Sequence, residues 1–265
     1  MSGEVLGKPS GLAANSTALP SRGLDYLDLL YLVLFSIAAL VVVSLVSVGV
    51  YLLLGYFLEW DVDLQSASSK ASIAIVIQAL ASVLVLAFMY TLVRIKHELP
   101  FAQVIAWRPI VYRPFFHATA YGAAGVLLAV TVALASNVMS MPDQPTPFED
   151  LLRDPSALLL VAGFGVVIAP LVEELIFRGF VFSIFERTHG RLAAVLITAG
   201  FFSLIHGPQY DWHWQILLLL MYVGIVFGAV RAVTKSIVPP TIIHASYNMT
   251  VVIGLLSAGQ ASSGA

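Results

Sequence analysis

Residues 29–58 read LLYLVLFSIAALVVVSLVSVGVYLLLGYFL, an unbroken run with no charged side chain. A bilayer's hydrocarbon core is about 30 Å thick and accepts an apolar helix of about 20 residues. This run is longer than that, so it spans and either tilts or protrudes. Working outward, the pattern repeats. Further apolar stretches cover about 71–93, 117–138, 156–186, 192–206, 214–230 and 237–256. The whole chain is 59% hydrophobic and only 11% charged, with a mean hydropathy of +0.93, against about 25% charged residues in a soluble globular domain. The expected fold class is therefore all-α, a polytopic membrane helix bundle of about seven transmembrane helices forming one domain over 28–257.

The segments between and beyond these stretches are short. Residues 1–27, rich in Ser, Gly, Ala and Pro, predict a flexible N-terminal tail, and 258–265 a short C-terminal one. The first apolar run starts too late and is too long for a cleaved secretory signal. Between the second and third runs, Pro100, Pro109 and Pro114 interrupt a stretch that mixes Trp107, Arg108, Tyr112 and Arg113, a composition suited to the membrane interface. Residues 148–153 read as a short amphipathic piece on the surface, and Pro239 and Pro240 fall in the first turn of the last run, where proline is tolerated. With the N-terminus inside, eleven of the thirteen Lys and Arg residues fall on inner segments and only Lys70 and Arg153 on outer ones. That excess is the one expected of the cytoplasmic side.

Composition also removes function classes. A net charge of −2, thinly spread, offers no basic stripe for nucleic acid. The absence of cysteine excludes disulfides, thiolate clusters and thiol nucleophiles.

The fourth run carries charge where charge is costly. An ionisable residue inside a membrane is a functional hypothesis by default, and here Glu173, Glu174 and Arg178 occur together. Glu174 and Arg178 stand four apart in the favourable order of acid before base. Glu173 lies about 100° round the helix, without a partner in its own span. The three could equally form a polar clasp between helices or line a transport path, both common uses of buried charge. Two more polar sites bear on the choice. Phe202 and His206 share a face of the fifth run, and His244 and Asn248 share one of the seventh. Glu173 and His206 should lie about 21 to 23 Å along their helices from the same charged boundary. His244 lies only about 12 Å from its own boundary, so it joins them only if that helix tilts or the boundary is uneven.

The order Glu-Glu-x-x-x-Arg at Glu173, Glu174 and Arg178, then Phe-x-x-x-His at Phe202 and His206, then His-x-x-x-Asn at His244 and Asn248, resembles the CAAX prenyl endopeptidase and bacteriocin-processing family (CPBP, or ABI) of intramembrane proteases. The resemblance covers about 156–256, with a catalytic core over 156–257. It implies an intramembrane endopeptidase cutting a membrane-associated protein or peptide. In it Glu173 would activate water with the help of His206, and His244 and Asn248 would hold the oxyanion. Glu174 and Arg178 would support the site, and Phe202 would shape it. The family is labelled metalloendopeptidase, and Glu173, His206 and His244 could supply the two-His, one-carboxylate set of a catalytic zinc. A metal-free glutamate mechanism is the other form. A prenyl group on the substrate is not carried over.

Other designs fit less well. His97-Glu98 is followed by Phe101 where a zinc protease of the His-Glu-x-x-His type needs its second histidine. The spans hold no interior aspartate for an aspartyl pair, and Ser203 and His206 lack a nucleophile turn. His97, His117, His189 and His213 fall at boundaries or loops and are expected to be solvated or interfacial. A non-enzymatic scaffold or immunity-type factor of the same fold is the alternative from another class, and a proton-coupled transporter a weaker one. The expected partners are membrane lipid and a membrane-associated peptide substrate.

Overall fold

A computed structural model of the chain describes residues 23–59, 67–139, 141 and 162–263. Residues 1–22 of the tail expected over 1–27, the surface piece over 148–153 and the first residues of the fourth expected span lie outside the described residues.

The described chain is all-helical. Helix α1 covers Tyr26–Leu58, and α2 covers Ala67–Thr91 and ends in a π-helical turn, Leu92–Lys96. The single turn α3 is Phe101–Val104, and α4 is Pro114–Val138. Next comes a π-helical stretch Phe164–Ile168, the short helix α5 at Ala169–Glu174, and a second π-helical stretch Leu175–Val181. These run directly into α6, Phe182–Ile205, then α7, Trp214–Thr234, and α8, Val238–Ser263. Within α6, Gly190 has φ +81°, a left-handed angle that glycine adopts without steric penalty. That residue breaks α6 where the fourth and fifth expected spans meet.

Four helices among the described residues are long and apolar enough to cross a membrane by length and composition: Tyr26–Leu58, Ser72–Lys96, Pro114–Val138 and Trp214–Thr234. The other three expected spans correspond to the helices that carry the polar motifs. Large apolar side chains such as Leu45, Tyr56, Leu127 and Leu134 face outward from α1 and α4, an arrangement that water would penalise and lipid accepts. The chain is an integral membrane protein.

Packing follows the small residues. α8 lies along α4, α7 along α6, and α1 along α2. At the α4–α8 crossing, a Cβ on Gly125 would collide with the carbonyl of Ile243 and come within 2.7 Å of Ser246 Cβ. One apolar cluster, including Leu32, Met89, Val93, Ile105, Phe180 and Ile184, joins the first helices to the motif-bearing ones.

Two sequence expectations need correction at the start of α1. His97 is buried, at 8% exposure, and its Nε2 lies 2.8 Å from Oδ2 of Asp28, which is fully buried. Lys96 Nζ reaches the other oxygen of Asp28 at 2.5 Å. Asp28 also forms a reciprocal capping box with Asp25, the backbone N–H of each donating to the other's carboxylate. A buried carboxylate is tolerable when cations and N–H groups surround it, and so α1 begins before the apolar run does. His117 and His213 are half-buried and His189 is exposed, nearer the expectation.

Candidate active site

The site is built on the helix that carries the first π turn. Pro170 lacks an N–H and cannot donate to the carbonyl four residues back, a defect that disturbs an α-helical ladder. The π-helical stretch Phe164–Ile168 stands at that point, and π turns favour functional sites. Beyond it, α5 presents Glu173 and Glu174 in succession, pointing in directions about 100° apart.

Glu174 is sealed in. It has no solvent exposure, and neither has Arg178, whose Nη1 donates to Glu174 Oε1 at 2.9 Å. Arg178 Nη2 donates to the carbonyl of Gly224 on α7, also at 2.9 Å. The rings of Phe177, Phe202 and Phe227 lie 4.8 to 5.9 Å from the guanidinium carbon, so the cation is boxed by aromatic faces. Phe177 and Phe227 have no place in the sequence reading. The neighbour of Phe177 in sequence, Arg178, hints at the first, whereas Phe227 is one apolar residue among many on its helix.

His244 closes the arrangement from α8. Its Nδ1 lies 3.1 Å from Glu174 Oε1 and its ring stacks on Phe227 at 4.5 Å. A carboxylate paired with a guanidinium only accepts hydrogen bonds, so Nδ1 carries the hydrogen and donates it. That leaves Nε2, on the opposite edge, 3.7 Å from Oε2 of Glu173. The separation exceeds a hydrogen bond. Glu173 is 25% exposed where Glu174 is fully buried, which makes Glu173 the carboxylate of the pair that a small molecule can reach.

His206 is oriented in the same sense. Its Nδ1 donates to the carbonyl of Phe202 at 2.6 Å, which leaves its Nε2 unprotonated in the neutral ring. The Phe202 ring sits against both imidazoles, 4.7 Å from His206 and 5.8 Å from His244. Asn248 Nδ2 donates to the carbonyl of Gly165 at 2.7 Å. One of its two N–H groups is thereby engaged, and the second is left over.

The structure therefore brings Glu173, Glu174, Arg178, Phe202 and His244 into one contact network. His206 and Asn248 lie at its edges, on Phe202 and on the first π turn. Ser236 and Ile237, before α8, are buried, and the segment 106–108 covers them through Ile237 N–H to Ala106 O and Ser236 Oγ to Arg108 O. The start of α8 is thus covered by another part of the chain.

Among the described residues, no three His, Asp or Glu side chains stand together at metal-holding separations. Glu173, His206 and His244 do not fit a three-ligand set as they stand, and the chemistry below belongs to the side chains alone.

Residues 155–250 match the family model described as Rce1-like, type II CAAX prenyl endopeptidase Rce1-like. No curated protein and no solved structure matches the chain. The matched segment, about a third of the chain, carries all three motifs, from Glu173 to Asn248, and over that segment the chain is similar to the CAAX-protease-like membrane proteins.

Proposed function

We propose that this protein is an intramembrane endopeptidase in which Glu173 activates water to cut a peptide bond of a membrane-associated protein. The observation that carries this reading is the division of labour between adjacent carboxylates. Glu174 is neutralised by Arg178 and holds the His244 ring, whereas Glu173 is accessible and faces the free Nε2 of that ring.

Glu173 takes a proton from water as the water oxygen bonds to the scissile carbonyl carbon, and passes it to the leaving nitrogen as the C–N bond breaks. His206 accepts the second water hydrogen through its free Nε2 and so orients the attack. The spare N–H of Asn248 supplies a donor for the oxyanion, and His244, whose hydrogen is on Nδ1, is held beside Glu173 by Glu174. A preorganised donor of this kind contributes about 3 to 4 kcal/mol to the transition state. Seven helices cross the membrane with the N-terminus inside. In support, the contacts Asp28–Lys96, Tyr26–Thr188 and Arg108–Ser236 gather segments assigned to the inner face at one end of the bundle.

The test is cleavage of a fluorogenic membrane peptide by purified protein in detergent or nanodiscs. Glu173→Gln should abolish turnover while the protein elutes and melts as the wild type does. Turnover at the wild-type rate in that variant would overturn the assignment.

A further inference from the structure

We infer that Arg231, which lies outside the three motifs, is a positioning residue. It clamps the second π turn and thereby fixes the helix that carries Glu173 and Glu174. The inference rests on the peptidase reading for its effect on turnover, but its structural part stands separately.

The argument begins with a carbonyl. In an α-helix the N–H of each residue donates to the carbonyl four residues earlier. At the end of the π-helical stretch Leu175–Val181, the N–H of Phe182 donates instead to Phe177 O, five residues back. The α-helical acceptor for that N–H would be Arg178 O. Where a π turn gives way to an α-helix, one carbonyl loses its main-chain donor, and a buried carbonyl without a donor is costly. Here a side chain from another helix meets the need. Arg231 Nε, on α7, donates to Arg178 O at 3.0 Å. Arg231 is itself buried, at 5% exposure, with its guanidinium carbon 5.0 Å from the ring centroid of the fully buried Phe182.

The first π turn shows the same construction. Ala169 N–H donates to Phe164 O, so Gly165 O loses its α-helical donor, and Asn248 Nδ2 from α8 donates to that carbonyl. The two π turns lie on either side of α5, at Ala169–Glu174. Each displaced carbonyl is held by a side chain from a different neighbouring helix. The glutamate pair is thus fixed at both ends in a register that the local hydrogen-bond ladder would not hold by itself.

Position on α7 strengthens the case. Gly224, Gly228 and Arg231 follow one another at helical spacings of four and three and share one face. A Cβ on Gly224 would come within 3.0 Å of Ala199 Cα, and one on Gly228 within 3.3 Å of Val195 Cα, so this face lies close against α6. Gly224 O receives Arg178 Nη2. Helix α7 therefore grips Arg178 twice, at its side chain through Gly224 and at its carbonyl through Arg231. A shift of the second π turn would move Arg178, then Glu174, then the His244 ring that Glu174 holds.

The experiment compares Arg231→Met, which removes the donor at similar length, with Arg231→Lys, which keeps one. Hydrogen–deuterium exchange over residues 178–184 reads the clamp directly, and peptide cleavage reads its consequence. Arg231→Met should exchange at least tenfold faster in that window alone and lose at least tenfold in kcat with KM within twofold. Arg231→Lys should recover most of both. Unchanged exchange in Arg231→Met, or equal defects in the two variants, would overturn the clamp. If exchange responds as expected but wild-type protein shows no Glu173-dependent cleavage, the clamp stands and the peptidase reading fails. If Arg231→Met does not accumulate in membranes, Arg231→Leu, which also lacks a donor, takes its place with the same expected and overturning results.

Discussion

Glu174 Oε1 accepts from both Arg178 Nη1 at 2.9 Å and His244 Nδ1 at 3.1 Å, so one buried oxygen ties two spans of the site together. The second oxygen, Oε2, has no partner among the described residues. The link from Arg178 through Glu174 to His244 thus passes through a single oxygen.

Replacing Glu174 by Gln, or Arg178 by Met, should destabilise the protein and impair turnover together. Each change leaves the other charge buried without its partner, a loss of about 3 to 5 kcal/mol. Thermal unfolding in detergent would show a clear drop in Tm for either variant. Unchanged melting in both would mean that the pair is not a structural clasp.

Phe202 is the ring that joins the Arg178 box to both imidazoles. Its ring packs on the Arg178 guanidinium, on His206 and His244, and edge-on to Phe177. Phe202→Ala should cost about 3 to 5 kcal/mol through the cavity it opens. Phe202→Leu should keep the fold but slow cleavage, because Leu fills volume without a flat face for two imidazoles. Equal activity in Phe202→Leu and wild type would remove Phe202 from the site's geometry.

Asp28 offers a contrast, since its partners are Lys96 and His97, at the end of α2. Asp28→Asn should lower stability by about 2 kcal/mol, the scale of hydrogen bonds to a buried charge. Lys96, at 38% side-chain exposure, can turn to solvent and limit the loss. Among molecules that remain folded, cleavage should stay within a few-fold of wild type. A selective loss of kcat with no change in melting would contradict this purely architectural role.

Gly125 should tolerate nothing larger. Gly125→Val would force α4 and α8 apart at Ile243 and Ser246, and overpacking of this kind costs about 1 to 3 kcal/mol or more. Gly49→Ala is the control, because no atom lies within 4 Å of a Cβ built there. The crossing geometry would be refuted if both variants melted alike.

Metal dependence can be settled by chelation. Because no three candidate ligands stand together among the described residues, cleavage should stay within twofold of the untreated rate after exhaustive treatment with a strong zinc chelator. Loss of activity restored by added zinc would show that Glu173, His206 and His244 close around a metal.

The membrane-embedded helical class was legible in the chain because hydrocarbon imposes a simple demand, long runs without charge, and 29–58 meets it without ambiguity. The motif residues were legible for the converse reason, since Glu173, Glu174, Arg178 and His244 are polar groups in runs where polarity is costly. Spacing alone also gave the Glu174–Arg178 pair, because four residues on a helix put two side chains on one face. The tertiary structure decided the rest. Which nitrogen of His244 faces Glu173 depends on a carboxylate seventy residues away, and the burial of Asp28 with His97 depends on how two helix ends meet. The π turns around Glu173 and Glu174 persist because side chains from α7 and α8 take the displaced carbonyls. Periodicity along one helix cannot report such contacts, because the energy that fixes them comes from other helices.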